Sequence, residues 1–184
     1  MTERNLPPLA IAPEPIEGLV IRHLRVDDLL QLEWEGEYAH FRNLYAEAYQ
    51  RMKAGRAVLW VAEIPQAGII GQVFIQLKIQ GRPRLADGWR RAYLHSFRVR
   101  PEYRGMGVGT KMLQVIEVDL RHRSFRYILL NVTQDNLAAF DLYARLHYQV
   151  IGEDAGNWSY TDQNGKVHYV HEPGWRMQKD LMER

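Results

Sequence analysis

Glycines at 105, 107 and 109 alternate where a helical pattern begins, in the stretch Val99-Arg-Pro-Glu-Tyr-Arg-Gly-Met-Gly-Val-Gly-Thr110. Glycine has no Cβ, so it takes up positive φ and lets the main chain approach a ligand closely. A helix N-terminus adds unpaired N–H groups and a partial positive charge. Together these form a socket for phosphate. Two common phosphate-binding patterns fail on spacing. A Walker loop needs Gly, four residues, then Gly-Lys-Ser/Thr. Here Gly109 is followed by Thr110 and Lys111, without a glycine at the required upstream position. A Gly-x-Gly-x-x-Gly dinucleotide fingerprint counted from Gly105 ends on Thr110, which is not glycine.

A second segment lies downstream, Asn131-Val-Thr-Gln-Asp-Asn-Leu-Ala-Ala-Phe-Asp-Leu-Tyr-Ala-Arg-Leu-His-Tyr-Gln-Val150. Asn136 and Tyr143 are close to two helical turns apart and so project on about the same side. Taken in order, Arg104-x-x-Gly107-x-Gly109 after an extended Val99-x-Pro101, then Asn136, Ala139, Leu142-Tyr143 and Tyr148, resemble the acetyl-coenzyme A motifs of the GCN5-related N-acetyltransferase (GNAT) family. The resemblance spans roughly residues 19–179, with its specific motifs at 97–110 and 131–148. It departs in one place. A glycine usually precedes the final aromatic, and His147 stands there instead. If that position is left-handed, histidine tolerates it less well than glycine.

The resemblance implies acetyl-CoA as co-substrate and no metal. Phe97 and Val99 would offer strand N–H and C=O groups to the pantetheine amides, and a strand N–H near Phe97 would polarise the acetyl oxygen. The amides of Arg104, Gly105, Met106, Gly107, Val108 and Gly109, with Thr110 behind them, would hold the pyrophosphate. Asn136 and Ala139 would lie near the pantetheine, and Tyr143 near the sulfur. The Arg104 side chain is expected either to pair with a phosphate or to brace the loop. Arg98, Arg100 and Lys111 are candidates for the nucleotide's 3′-phosphate, or simply solvated side chains.

The chemistry required is the attack of a deprotonated amine on a thioester, with a thiolate leaving. With a phenol pKa of about 10 against a thiol's of about 8.5, a neutral Tyr143 can donate to the departing sulfur or protonate it. His95, in the strand before the glycine loop, is the candidate base. Its unperturbed pKa of about 6.5 suits proton transfer near neutrality. Period-two alternation puts it on one side with Tyr93, Phe97 and Val99. A water chain to Glu33, Glu35 or Glu37 is the alternative. The acceptor, an amine of a small molecule or protein, is expected at Glu33-Trp-Glu-Gly-Glu-Tyr-Ala-His40, where carboxylates and aromatics suit a cation. Trp158, Tyr160 and Tyr169 either close the other side of a cleft or pair across strands. A coenzyme A-binding sensor or subunit without catalysis is the competing reading. A small basic nucleic-acid-binding domain is a third, which the dispersed arginines disfavour.

Several elements must position these groups. Residues 19–24 read as a strand, and 28–53 as a mainly helical stretch with a break near Gly36. Residues 58–63 and 69–77 form a hairpin around Pro65-Gln-Ala-Gly68, and 93–99 is the next strand. Helix 110–121, a doubly buried strand 126–132, and a helix capped by Asp135 or Asn136 and running to about His147 follow. A hairpin turns at Asp162-Gln-Asn-Gly165, and 175–179 is a last strand. The fold class is therefore α/β (α+β), with a mixed, mostly antiparallel sheet flanked by helices. The resemblance implies about six or seven strands in an acyl-CoA N-acyltransferase-like arrangement.

The chain has 184 residues, a net charge of +2 and 46% hydrophobic content, ordinary for one globular domain. Residues 18–184 are expected to form it, behind a flexible lead-in at 1–17 carrying Pro7, Pro8, Pro13 and Pro15. No signal peptide or membrane span is expected, and no nucleic-acid partner. The lack of cysteine excludes disulfides, thiolate zinc sites and a cysteine nucleophile, and is compatible with a reducing cytoplasm. His168-x-x-His171 has no third ligand in pattern, and no Gly-x-Ser-x-Gly elbow occurs. A homodimer is compatible with all of this.

Overall fold

A computed structural model describes residues 16–183. Seven strands form one sheet in the order β1 (Val20–His23), β2 (Ala57–Ile64), β3 (Gly68–Gln76), β4 (Arg91–Val99), β5 (Tyr127–Thr133), β9 (Gly174–Asp180), β6 (Gln149–Asp154). All neighbours are antiparallel except β4 and β5. That parallel pair is joined by the crossover helix α2 (Val108–His122), as a strand–helix–strand unit requires. The hairpin β7 (Asn157–Thr161) and β8 (Val167–His171) stands apart from the sheet.

Apolar side chains cover both faces. One cluster joins Ile70, Val73, Ile75, Leu94, Ile128 and Leu130 to Val108, Met112, Ile116 and Leu120 of α2 and to Tyr143 of α3 (Leu137–Arg145). A smaller one puts Leu59, Val61, Ile69 and Phe74 beneath Leu32, Tyr45 and Ala48. Tyr45 and Ala48 belong to α1 (Arg42–Lys53). α1 rests on β2, which leaves the same face of β4 and β5 free of a covering helix.

The stretch from 28 to 53 does break near Gly36, as expected, but its first part is not α-helical. Val26–Glu33 and Ala39–Phe41 are 3-10 turns, separated by Trp34, Glu35 and Gly36, all at positive φ. Glu33 and Glu35 are drawn into ion pairs with Arg42 and Arg100, and Trp34 is buried, so tertiary contacts outweigh helical periodicity here. Strand β6 follows directly on α3, and its edge position leaves it largely exposed, without the alternation that marks a strand in sequence. Among the described residues no helix is long and apolar enough to cross a membrane.

Candidate active site

β4 carries the feature that organises the site. It pairs with β5 only from Arg91↔Tyr127 to Leu94↔Leu130, although both strands run further. Past Leu94 it bulges. Gln72 faces Arg98 and Phe74 faces His95, so Val73 alone opposes both Ser96 and Phe97. Ser96 takes φ 51. A bulge of this kind bends a strand and strengthens its twist, and here β4 and β5 part to leave a gap.

The bulge also corrects the expected face assignment. His95 lies on the α1 face, its ring edge-on to Phe74 at 5.8 Å. Phe97 and Val99 pack on the α2–α3 side, against the cluster that holds Tyr143. One extra residue reverses the alternation, so His95 does not share a side with Phe97 and Val99. Arg98 is on the α1 face as well. Its Nη1 donates to the Tyr45 hydroxyl at 2.7 Å, and the guanidinium lies over the Tyr38 and Phe41 rings. Arg100 is chelated by Glu35. Neither arginine side chain faces the glycine loop.

That loop sits on the opposite face, where it leads into α2. Gly105 and Gly107 are left-handed, at φ 74 and 81, and Gly107 is the N-cap of α2. The backbone N–H groups of residues 105–110 have no acceptor among the described residues. Lys111 is the first to bond back, to the Gly107 carbonyl. Val108 turns its side chain into the core, Met106 is exposed, and Thr110 is half-buried, so the free groups here are main-chain donors. Such a run of amides at a helix N-terminus is a nest for an anion. Gly109 approaches α3 closely: a Cβ there would lie 3.3 Å from Leu142. Arg104 braces the loop, its Nε donating to the Val99 carbonyl at 2.9 Å.

Asn136 caps α3, its Oδ1 accepting from the Ala139 N–H at 3.2 Å. Asn136, Ala139, Tyr143 and Phe97 line a cavity of about 210 Å³ together with Leu94, Ser96, Asn131 and Thr133 from the gap. The Tyr143 hydroxyl has no hydrogen-bond partner among the described residues. Burial, helped by the nearby Tyr93, pushes it well above the usual phenol range, so it stays protonated.

The gap residues Leu94, His95, Ser96, Asn131 and Thr133 also line a larger cleft of about 1200 Å³ on the α1 face. The two cavities therefore meet through the sheet. His95 is held in the opening. The Gln76 amide lies 3.3 Å from its Nε2, and Ser96 Oγ 3.0 Å from its Nδ1. With Gln76 donating, Nε2 accepts and Nδ1–H donates to Ser96. Burial, reinforced by the charge of Arg51, pushes His95 down to about 4, so it is neutral at physiological pH.

The expected acidic acceptor surface is not there. Arg42 takes Glu33 and Arg100 takes Glu35, and Glu33, Glu35 and Glu37 do not line either cavity. Trp158 does line the cleft, and with Tyr160 it packs on Phe41, so the β7–β8 hairpin forms one wall. Tyr169 points away and is 87% exposed. His168 and His171 are engaged within the hairpin, by Asp162 and Asn157. Sequence reasoning missed Ser96, Gln72, Gln76, Arg51 and Arg56. Gln72 and Gln76 are buried within the sheet, and each leaves its Oε1 without a donor among the described residues.

The model of the acetyltransferase (GNAT) family matches residues 23–148. The chain belongs to that family. A curated Xenopus tropicalis protein named "Probable N-acetyltransferase camello" is 27% identical over 130 residues, covering 66% of this chain and 56% of its own length. The chain thus spans about half the length of that relative. Among solved structures, an N-acetyltransferase from Staphylococcus aureus Mu50 superposes with a TM-score of 0.68 at 14% identity, over 89% of this chain and 98% of that one. An aminoglycoside 6'-N-acetyltransferase complexed with coenzyme A superposes at 0.60 with 18% identity, over 90% and 98%. At these identities the likeness establishes the GNAT fold.

Proposed function

We propose that this GNAT chain is an acetyl-CoA-dependent N-acetyltransferase that acts by direct transfer within a ternary complex. One observation carries the reading. The unpaired amides of residues 105–110 and the partnerless Tyr143 hydroxyl lie on one side of the sheet, beside a gap that opens onto a cleft on the other. A donor entering from the α2–α3 side and an acceptor entering from the α1 side would meet at that gap.

The amides of 105–110 would bind the pyrophosphate. The edge of β4 that β5 has vacated, at Phe97–Val99, would take the pantetheine amides, with Asn136 and Ala139 alongside. The acceptor nitrogen attacks the thioester carbonyl carbon, the N–C bond forms and the C–S bond breaks. The amine proton leaves through His95 or water, and the thiolate takes a hydrogen bond or proton from Tyr143. The reading favours Tyr143 over His95 as a required group, because a base with a pKa near 4 is a weak proton acceptor.

Coupling free-thiol detection to a panel of amines tests the proposal. Acceptor-dependent thiol release is expected. Tight acetyl-CoA binding without such release for any amine would favour a non-catalytic coenzyme A-binding module. The same reading expects a cytoplasmic protein, which fractionation tests, and allows a homodimer, which sedimentation tests.

A further inference from the structure

The large cleft on the α1 face is basic, although the chain as a whole carries only +2. Arg51, Arg56, Lys78, Arg82, Arg98 and Arg176 line it, against Asp154 and Glu172. Asp154 is committed to Arg176, and Glu172 accepts from the Trp158 indole. Arg56, Lys78 and Arg82 have no carboxylate within ion-pair distance among the described residues. Arg98 rests on the neutral Tyr45 hydroxyl, and Arg51 meets Glu47 at 3.6 Å through Nη1 while its Nε stays buried without an acceptor.

These cations are grouped. Arg51 lies in the last turn of α1 and Arg56 directly precedes β2. The Arg56 carbonyl accepts from the N–H groups of Leu77 and Lys78, which puts Lys78 beside it. Gln76, between this cationic end and His95, presents an amide oxygen that lacks a donor. No residue of 101–110 lines the cleft, so its charge is separate from the amide nest on the other face.

From this placement we infer that the acceptor is an amine that also carries an anionic group, carboxylate or phosphoryl. Its nitrogen would lie at the gap beside His95 and Gln76, and its anion at Arg51, Arg56 and Lys78. The inference rests on the acetyltransferase reading. A cleft whose cations outnumber its carboxylates repels polyamines and other dications and concentrates anions, most strongly at low salt.

A matched series tests it: γ-aminobutyrate, its neutral amide, the corresponding aminoalkyl phosphonate, and putrescine. The carboxylate and phosphonate arms distinguish the two head groups. At low salt, kcat/KM for at least one anionic member should exceed that for the amide and for putrescine by roughly tenfold, and the advantage should shrink as salt rises. In the Arg56→Gln/Lys78→Gln double variant the preference should fall to within about twofold, while Arg121→Gln, on the exposed side of α2, keeps it. Equal or faster turnover of the amide or putrescine overturns the inference and leaves the acetyltransferase reading standing. If no member releases thiol, calorimetry on coenzyme A-saturated protein decides. Tighter binding of the anionic members, lost in the double variant, supports the basic acceptor pocket and counts against transferase activity. Equal or absent binding overturns the pocket itself.

Discussion

Replacing Tyr143 by phenylalanine removes one oxygen and leaves the ring, and the structure sets what that should cost. The hydroxyl bonds no described residue, so its loss strands no protein partner, and stability should change little. In the proposed reaction the same hydroxyl would face a developing thiolate, and a hydrogen bond to a charged group is worth about 1.5–3 kcal/mol. At about 1.36 kcal/mol per factor of ten, kcat should fall roughly 10- to 150-fold. Thiol release at saturating acetyl-CoA and acceptor measures it, with KM for acetyl-CoA expected within about twofold of the parent. Tyr148 gives the contrast. Its hydroxyl donates to the buried Glu117 at 3.1 Å, so Tyr148→Phe should show its effect in thermal or denaturant stability, by about 1–3 kcal/mol. A Tyr143→Phe enzyme whose kcat stays within about threefold of the parent would refute the argument, because no protein contact is present to compensate.

His147 holds φ 66 where α3 ends, so His147→Gly should stabilise the protein by about 0.5–1 kcal/mol, raising Tm by roughly 1–4 °C in calorimetry. A lower Tm would show that the imidazole contributes more than its backbone strain costs. His95, at about 4 in the fold against 6.5 unperturbed, binds its proton more readily in the unfolded chain. Stability should therefore rise with pH between about 4 and 6.5, and His95→Gln should lack that slope in denaturant titrations. If His95 is the base, the acid limb of kcat/KM should lie below 6.5 and disappear in His95→Gln, and a limb that survives the substitution would exclude it. Gly107→Ala forces a side chain onto φ 81 at a strain of about 1–2 kcal/mol, which should displace the neighbouring amides and raise KM for acetyl-CoA by roughly tenfold. An unchanged KM would mean those amides do not hold the pyrophosphate.

The geometry of the glycine loop and of α3 was legible in the sequence because its signals are local. Gly105 and Gly107 are glycine for their positive φ, Asn136 for its capping oxygen, and Tyr143 follows at helical spacing. The departure at His147 was legible for the same reason, since a left-handed residue after a helix is a local demand. The segment 33–40 was misread because most of its charge is settled by partners outside it. Glu35 meets Arg100 across 65 positions of chain, and Glu33 meets Arg42. A count of carboxylates in residues 33–40 sees three free acids where the fold has paired Glu33 and Glu35. The cations that line the cleft come from α1, from the turns flanking β2 and β3, from β4 and from β9, so no sequence window contains them.

Ser96 explains how one strand presents side chains to both cavities. Strict alternation along β4 would send Phe97 and Val99 to the face of His95, and Arg98 into the apolar cluster beneath α2. Burying an unpaired guanidinium there would cost several kcal/mol. The extra residue opposite Val73 avoids that outcome. It lets Arg98 reach Tyr45 on the α1 face while Phe97 packs near Tyr143, with ring centroids 6.5 Å apart, on the α2–α3 face. The same bulge adds twist just past Leu94↔Leu130, where β4 leaves β5. A single backbone irregularity thus opens the gap and also decides which side chains face it from each direction. A serine within an apolar strand carries no mark of this in sequence, since the conformation is set by how many residues β3 places opposite it.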